Sequence, residues 1–425
     1  MKKSNSRKTL ITITAAAAAL TMMLSGCGSS SSSSSDSSAS STSDSGTFMA
    51  AGLFPLTGSM AYLGPANIAT MKLAQKDIND AGGVLGKDIE ITSADTSDAD
   101  HADQNTSSAQ SVLAKNPSVV VGPPSSSVVK NTYKQVTSAK VPMISSGATS
   151  TAFSGLNDYF FRTIPPDTVQ GAVLGQIIAQ DGVKNLAIAV FNDEYGTSLR
   201  DVVVKTVEDA GVKVVYGEKD TFDPTETNFS SIATAIKASN PDATLVIAFD
   251  QTKPLLKALA SAGVDMSKLY FVDGNTSDYS SELDAGLLKG SKGTIPGVNP
   301  SDDFIKRLES TGVDLKNTTT YAAETYDGII LAALAAQKGG SADGKTIQAN
   351  MAAVSGADGG EKCDSYKACL ALLKDGKDIQ YQGQTGIGPF NKNNDPSSAN
   401  IGVYTFDGDN KPVFDHTQSG DVPTD

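Results

Sequence analysis

Residues 52–91 read GLFPLTGSMAYLGPANIATMKLAQKDINDAGGVLGKDIEI, and this stretch decides the fold. An apolar strand ending at Phe54 leads into a loop of small residues, and a helix follows that ends at Asn79-Asp80-Ala81-Gly82-Gly83. A second strand begins after Gly86-Lys87. This order of strand, helix and strand is typical of a parallel sheet, because parallel strands need a long connection and a helix supplies it.

The same alternation continues to about residue 300, where short β-branched runs alternate with longer amphipathic stretches. Such a pattern predicts an α/β fold with mostly parallel sheet flanked by helices. The predicted strands are residues 48–54, 89–95, 118–122, 141–146, 185–191, 212–217, 243–249 and 269–274. The stretches between them have the helical period; in 197–210, for example, Leu199, Val203 and Val207 share one face.

Two consecutive prolines, Pro165 and Pro166, interrupt the alternation and bias the chain toward an extended conformation. The strands before and after them are therefore expected in separate α/β lobes. A helix at 321–338, a helix near 346–354 and a strand at 401–407 must dock onto lobes already begun, so the chain crosses between the lobes more than once. Several crossings form a hinge, and we expect a ligand cleft at the carboxyl ends of the parallel strands.

The amino-terminal end has the form of an exported lipoprotein. Four basic residues within the first eight precede an apolar run that ends at Leu24-Ser25-Gly26-Cys27. This end resembles a bacterial lipobox, which predicts that residues 1–26 are a signal peptide and that Cys27 receives a diacylglyceryl group. The apolar run is shorter than the roughly 20 residues of a membrane span. Residues 27–46 are the lipidated cysteine and a serine-rich tether, so we expect the lipid to be the only attachment, on the outer face of the cytoplasmic membrane.

The charge of the chain excludes some functions. The formal net charge is −13, and removal of a leader with four basic and no acidic residues would leave −17. Such a surface predicts no binding to nucleic acid.

Motifs of catalysis and of cofactor binding are not found either. GGVLGKD (82–88) lacks the spacing of a phosphate loop, and DTSDADHAD (95–103) lacks the calcium-loop pattern. Gly383, Gly386 and Gly388 lack the flanking strand and helix of a dinucleotide site. Because the chain has only two histidines, a hydrolytic triad is not expected. We therefore predict no cofactor, no metal and no enzymatic activity.

Cys363 and Cys369 flank a loop of five residues in a chain expected to leave the reducing cytoplasm. The economical interpretation is one small disulfide. The alternative, a metal-binding pair, lacks further ligands, because neither His101 nor His416 lies beside the cysteines in sequence.

The stretch quoted above, together with four later segments, resembles the periplasmic-type binding proteins of branched-chain amino-acid ABC transporters. The later segments are VVVGPPSSSV (119–128), VPMISSGATS (141–150), NDEYG (192–196) and YAAETYDGI (321–329). The tail from Cys363 onward looks like a disulfide-bearing branch of that family. The resemblance implies a type I periplasmic-binding-protein fold of two Rossmann-like lobes with parallel sheets, joined by a multi-crossing hinge.

With the resemblance, the lobe boundaries can be drawn. The first lobe is predicted at 47–165 plus about 297–380, and the second lobe at 166–296 plus about 381–425.

The first lobe offers a candidate carboxylate site. Ser125, Ser126 and Ser127 follow a strand and open a helix, whose electropositive end suits a carboxylate. In the family the corresponding loops clasp the α-carboxylate of the ligand. The resemblance therefore implies Ser126, Gly147 and Thr149 here, with Thr149 contributing its hydroxyl.

The second lobe of the family supplies an aromatic side chain that covers the ligand and an acid that pairs with its ammonium group. The matching positions are Tyr195 and Asp273. A phenol exposed at the cleft is expected for Tyr195, with a place in the core as the alternative. For Asp273, a solvated acid without a ligand is the alternative. Aspartate stands where the family often has glutamate, which shortens the reach to an ammonium group.

The resemblance assigns the other positions of the pocket wall less directly. A family aromatic aligns with Leu63, although Tyr62 is the neighbouring residue, and a second one aligns with Phe249 or Asp250. Tyr321 matches a position that lines the pocket. These departures predict a pocket for a smaller or more polar ligand than leucine.

The resemblance implies a binding protein that captures an amino acid, branched-chain or similarly small and apolar, and delivers it to an ABC-transporter permease driven by an ATPase. Two alternatives stay open at this point. The same fold could bind an amide, urea or an aromatic acid, or the chain could be the ectodomain of a sensor that works without transport.

Overall fold

A computed structural model describes residues 46–424 except 298, 317 and 387. The predicted signal peptide, Cys27 and the tether up to residue 45 lie outside the described residues. Within the described part of the chain, no helix is both long enough and apolar enough to cross a membrane.

The strands, in chain order, are β1 (Met49–Phe54), β2 (Glu90–Asp95), β3 (Val119–Val121), β4 (Met143–Ser145), β5 (Phe160–Arg162), β6 (Asn185–Val190), β7 (Lys213–Tyr216), β8 (Ala243–Ile247), β9 (Leu269–Phe271), β10 (Lys292–Pro296), β11 (Glu361–Cys363), β12 (Ile379–Tyr381), β13 (Ser398–Phe406) and β14 (Pro412–Asp421). One sheet has five parallel strands in the order β2-β1-β3-β4-β5. A second sheet has seven strands in the order β14-β13-β10-β9-β8-β6-β7, and β11 pairs with β12 alone.

The helices are α1 (Gly64–Asp80), α2 (Ala102–Leu113), α3 (Ser126–Ser138), α4 (Asp167–Gln180), α5 (Glu194–Asp209), α6 (Ser230–Ala238), α7 (Thr252–Ser261), α8 (Asp302–Glu309), α9 (Ala322–Gly339), α10 (Gly344–Ser355) and α11 (Tyr366–Lys374). Helices α1–α3 and α8–α11 pack with the five-stranded sheet and form with it what we call the first lobe. Helices α4–α7 pack with the seven-stranded sheet and form the second lobe. The predicted α/β fold with parallel sheets flanked by helices is therefore confirmed.

The quoted stretch forms the centre of the first lobe. Strand β1 pairs with β2 on one side and β3 on the other, and five of its six residues are buried. A strand covered on both faces must be apolar throughout, which explains the run MAAGLF without polar alternation. Helix α1 then returns the chain across the sheet, with Pro65 in its first turn.

Gly83 ends the helix and turns the chain toward β2. Its φ of 72° lies in the left-handed region, and a Cβ at this position would come within 1.9 Å of the Lys87 carbonyl oxygen. The Gly83 amide donates a hydrogen bond of 2.9 Å to the Ile78 carbonyl, which closes the last turn of the helix. Only glycine satisfies both the conformation and the close approach.

The second sheet differs from the predicted one at its edge. Strands β6 to β10 are parallel, but β13 and β14 are antiparallel and extend the sheet beyond β10. Of these, β10 and β14 were not predicted, because KGTIP contains glycine and proline and because β14 is mostly exposed and polar.

Three crossings connect the lobes. The first is residues 163–166, between β5 and α4, where the two prolines lie. The second is 297–301, between β10 and α8, and the third is 391–397, before β13. The chain turns to the second lobe later than the predicted residue 381, because Tyr381 and Phe390 still pack in the first core. The other predicted lobe boundaries stay predictions.

The predicted disulfide between Cys363 and Cys369 is confirmed, with a Cα–Cα distance of 5.2 Å. No cluster of potential metal ligands is found among the described residues.

A buried ion pair ties the first crossing to the third. Arg162 and Asp395 have side chains 0% and 1% exposed, and the Arg162 Nε donates to Asp395 Oδ1 at 2.7 Å. The same guanidinium donates to the carbonyl oxygens of Ala148 and Ser150 at 3.2 and 2.8 Å, and to Ser154 Oγ at 2.9 Å. The pair therefore also fixes the loop that follows β4.

Asp395→Asn should lower the free energy of unfolding by about 3 kcal/mol, because it leaves the buried Arg162 charge uncompensated. Urea unfolding followed by circular dichroism measures this. The control is Asp80→Asn, which breaks the exposed pair with Lys76 and should cost about 0.5 kcal/mol or less. Equal losses in the two variants would contradict a structural role for the buried pair.

Candidate functional site

The three serines after β3 have three different partners. Ser125 caps α3, and its side chain accepts a hydrogen bond from the Val128 amide. Ser126 Oγ accepts from the Ser150 amide at 3.3 Å, which joins the two loops of the first lobe. Ser127 Oγ donates to Asp193 Oδ2 of the second lobe at 2.6 Å. Of the three, Ser126 faces the loop that contains Gly147 and Thr149, as expected for strands β3 and β4, which are neighbours.

Gly147 is tightly packed within the first lobe. A Cβ at this position would be 2.8 Å from atoms of Pro124 and of the Tyr321 ring, so a larger residue would push them apart. Thr149 is buried, and its hydroxyl lies beside the Asp167 carboxyl, where it opposes the rise in the pKa of Asp167. Its carbonyl accepts a hydrogen bond of 2.8 Å from the Asp167 amide at the start of α4.

Asp273 is the central charged group of the cleft, and it is 5% exposed. Its Oδ1 accepts hydrogen bonds from the Tyr195 hydroxyl at 2.5 Å and from Gln170 Nε2 at 3.0 Å. Its Oδ2 accepts from the Tyr321 hydroxyl, which comes from the first lobe. Burial raises the pKa of Asp273, and these three donors oppose the rise.

The structure places Tyr195 in the interior, so the expectation of an exposed phenol is wrong. Its side chain is 3% exposed, and its ring stacks on Phe249 with 5.6 Å between centroids and 8° between planes. Helix α5 positions it: Asp193 caps the helix and accepts a hydrogen bond of 2.8 Å from the Tyr195 amide. The ring is held by the stack, and the hydroxyl is held by Asp273.

The structure distinguishes the paired alternatives of the pocket wall. The Tyr62 hydroxyl donates to the Gly274 carbonyl of the second lobe at 3.4 Å, whereas Leu63 is fully buried in packing. Phe249 is 9% exposed and belongs to the aromatic cluster, whereas Asp250 is exposed. Burial raises the pKa of Tyr62, and the nearby carboxylate of Asp273 adds to this effect.

Polar contacts join the lobes at one rim of the cleft. Lys130 on α3 pairs with Glu194 on α5 at 2.6 Å, and the Ser150 hydroxyl donates to the other oxygen of Glu194 at 3.0 Å. The Thr151 amide donates to Ser198 Oγ at 3.0 Å. With the bond from Ser127 to Asp193, these contacts hold the rim shut.

Two cavities lie in the cleft. The smaller has a volume of about 10 Å³, which is enough for one water molecule. It is lined by Met60, Pro124, Ser125, Ser126, Gly147, Tyr195, Phe249, Asp273 and Tyr321. Six of the eight residues expected to bind the ligand therefore meet around one point.

The larger cavity has a volume of about 760 Å³ and shares Phe249 and Tyr321 with the smaller one. Tyr62 lines this cavity, and Thr149 lines neither of the two. The volume is in the range of small-molecule sites.

Two residues of the cleft were missed in the sequence. Gln170 donates to Asp273, and Glu324 lines the larger cavity with 4% exposure. Both lie in helices whose residues on the same side are otherwise apolar. A polar residue within such an apolar face is the sequence feature that could have identified them as residues of the cleft.

The fold and the cleft are those of a two-lobed solute-binding protein. The sequence profile of the periplasmic binding protein family matches residues 49–366, and the chain belongs to this family.

Relatives with known names agree with this class. The chain is 28% identical over 317 residues to a Leu/Ile/Val-binding protein homolog of Brucella suis, which covers 70% of this chain and 80% of the relative. It is also 28% identical over 303 residues to the leucine-, isoleucine-, valine-, threonine- and alanine-binding protein of Pseudomonas aeruginosa, with 69% and 79% coverage.

Solved structures share the fold. A branched-chain amino acid transporter substrate-binding protein of Streptococcus pneumoniae, in complex with isoleucine, has a TM-score of 0.70 and 20% identity, and the match covers 88% of this chain and 100% of that chain. A solute-binding protein of R. palustris, in complex with 4-hydroxybenzoate, has a TM-score of 0.71 and 19% identity, with 89% and 98% coverage.

Asp167, at the start of α4, should make stability depend on pH. Burial raises its pKa to about 7 in the folded protein, above the ordinary value of 3.8. The folded state therefore holds a proton that the unfolded state has lost, and the contribution of Asp167 is largest below about pH 4 and falls as the pH rises to about 7.

Asp167→Asn should remove this decrease in the free energy of unfolding with rising pH. The variant should therefore become more stable relative to the wild type between pH 4.5 and 8, by an amount on the order of 4 kcal/mol at most. Urea unfolding of both proteins across this range measures the difference, with Asp158→Asn at an exposed position as the control. A difference that stays constant with pH would show that Asp167 has an ordinary pKa.

Proposed function

We propose that this protein captures an amino acid between its two lobes and delivers it to the permease of an ABC importer. The observation that carries the proposal is the meeting of residues from both lobes around Asp273, opposite the loops that contain Ser126 and Gly147. A ligand that touches both sides stabilises the closed arrangement, because both sets of contacts exist only when the lobes are together.

The polarity of the two sides suits a zwitterion. The amino-terminal end of α3, with Ser126, is electropositive and accommodates the α-carboxylate. The Thr149 hydroxyl, buried in the same loop as Gly147, lies close to this side. Asp273 supplies the negative charge for the ammonium group, and Tyr195 and Phe249 supply the apolar wall.

The ligand must displace contacts that the protein makes with itself. A cavity of about 10 Å³ holds no amino acid, so the hydroxyl of Tyr321 or Tyr195 has to leave Asp273 when the ligand enters. Binding therefore requires the lobes to separate first and to close again around the ligand.

A second candidate is an aromatic acid, with an amide or urea as further members of this class. It is favoured by the three donors that already satisfy Asp273, since a ligand without an ammonium group leaves them in place. The R. palustris relative by fold was solved with 4-hydroxybenzoate.

Titration calorimetry with the twenty amino acids and with 4-hydroxybenzoate, benzamide and urea tests both candidates. The amino-acid proposal expects heat with at least one amino acid and a loss of affinity of about tenfold or more in Asp273→Asn, because the ammonium contact is charge-assisted. Asp158→Asn is the matched control, and thermal unfolding checks that each variant is folded. If no amino acid gives heat, the amino-acid proposal fails. Binding of the aromatic acid that survives Asp273→Asn supports the second candidate.

We also propose that the chain works outside the cytoplasm, anchored by a lipid on Cys27 after removal of residues 1–26, with residues 27–46 as a tether. Cys27→Ser should abolish lipidation. Detergent phase partition of cell extracts measures this: the wild type should enter the detergent phase, and the variant should stay in the aqueous phase or remain an unprocessed precursor. Equal partition of the two proteins would contradict the anchor.

A further inference from the structure

The larger cavity has one buried charged group, Glu324. This residue lies in the first turn of α9 and is 4% exposed, and its carboxyl forms no hydrogen bond with another of the described residues. A buried carboxyl that is bonded only to its own backbone amide is costly, so its retention in the wall of a cavity of about 760 Å³ calls for a physical reason.

The position of Glu324 is fixed by the crossings between the lobes. The Thr163 hydroxyl of the first crossing donates to the Glu324 carbonyl oxygen at 2.8 Å. Gly297, at the second crossing, has a φ of 103°, and a Cβ there would lie 2.3 Å from Glu324 Oε1. A side chain at position 297 would therefore require the Glu324 carboxyl to move.

Part of the wall suits the stem of a long side chain, although most of the residues that line the cavity are polar. Apolar and aromatic surface comes from Tyr62, Phe249, Ile295, Pro296 and Tyr404. Tyr321 lies between the two cavities: its hydroxyl bonds to Asp273, and its ring borders the larger cavity one helical turn before Glu324.

The basic residues of the cavity do not neutralise Glu324. Lys253 pairs with Glu282 at 3.7 Å, Lys316 with Asp314 at 2.6 Å and Lys411 with Asp278 at 3.9 Å. Their side chains are 47%, 64% and 49% exposed, so each is a solvated residue of the rim with an acidic partner of its own. None of these three lysines therefore pairs with Glu324.

We propose that the larger cavity is the side-chain subsite of the ligand and that Glu324 binds the cationic end of a basic amino acid such as lysine, ornithine or arginine. The inference rests on the proposed function, because the α-amino and α-carboxylate groups must bind at Asp273 and Ser126. It changes the ligand class from branched-chain to basic amino acids.

Proton release is an independent sign of this contact. Burial raises the pKa of Glu324 to about 8, with the nearby Asp327 adding to the rise, so the carboxyl is mostly protonated at pH 7 in the free protein. Tyr321 and Tyr404 also face it, and burial is the main cause that raises the pKa of each tyrosine. A cation that binds Glu324 favours the charged carboxylate and expels its proton.

The test is titration calorimetry with lysine, ornithine, arginine, leucine and isoleucine on the wild type, Glu324→Gln and Glu309→Gln. The last variant removes the same charge at an exposed position of α8 and serves as the matched control. The wild type and the control should bind a basic amino acid about tenfold or more tightly than leucine. Glu324→Gln should lose that preference, and thermal unfolding checks that the variant is folded.

A second titration at pH 7, in two buffers with different ionisation enthalpies, should show release of close to one proton per lysine bound to the wild type and none for Glu324→Gln. Leucine binding without lysine binding, or lysine binding that Glu324→Gln leaves intact, would overturn the inference and leave the amino-acid proposal standing. An absence of heat with every amino acid overturns both.

Discussion

The hydrogen bonds around the carboxylate of Asp273 are the interaction on which the arrangement of the lobes depends. Gln170 and Tyr195 reach it from two helices of the second lobe, and Tyr321 reaches it from the first. A buried carboxylate needs such donors, since water cannot replace them while the cleft is shut. The lobes therefore meet through a group that is also the proposed contact for an ammonium group, so closure and recognition use the same atoms. Opening transfers Asp273 to water, and under the proposed function an amino acid would return it to a dry environment with a charge beside it.

Sequence patterns predicted most strands of the two large sheets but missed β5 in the first lobe, for physical reasons that differ between elements. Strands β1, β6 and β8 are buried on both faces, so they appear as short apolar runs that no solvated segment imitates. Strand β10 could not be found, because its pairing with β13 is set by tertiary contacts and its own residues have weak strand preference.

The candidate site likewise contains residues that the sequence predicted and residues that it did not. Ser126 and Gly147 follow predicted strands directly, so topology alone brings their loops together. Topology could not predict the hydrogen-bond partners of Asp273, since Gln170 and Tyr321 are 103 and 48 residues away from it in sequence. The hydrogen bond from Tyr321 also depends on the left-handed backbone conformation of that residue, whose φ is 61°. Sequence patterns do not predict this conformation for a tyrosine.

The guanidinium of Arg162 couples the third crossing to the loop that follows β4. It is bound on one side to Asp395 in the third crossing and on the other to the carbonyl oxygens that flank Thr149. Bending at the crossings moves this loop as well, because one buried guanidinium bonds to both at the same time. Under the proposed function, a change of the hinge angle would therefore reshape the loop that contains Gly147 and Thr149, and release of a ligand would follow the bending of the crossings.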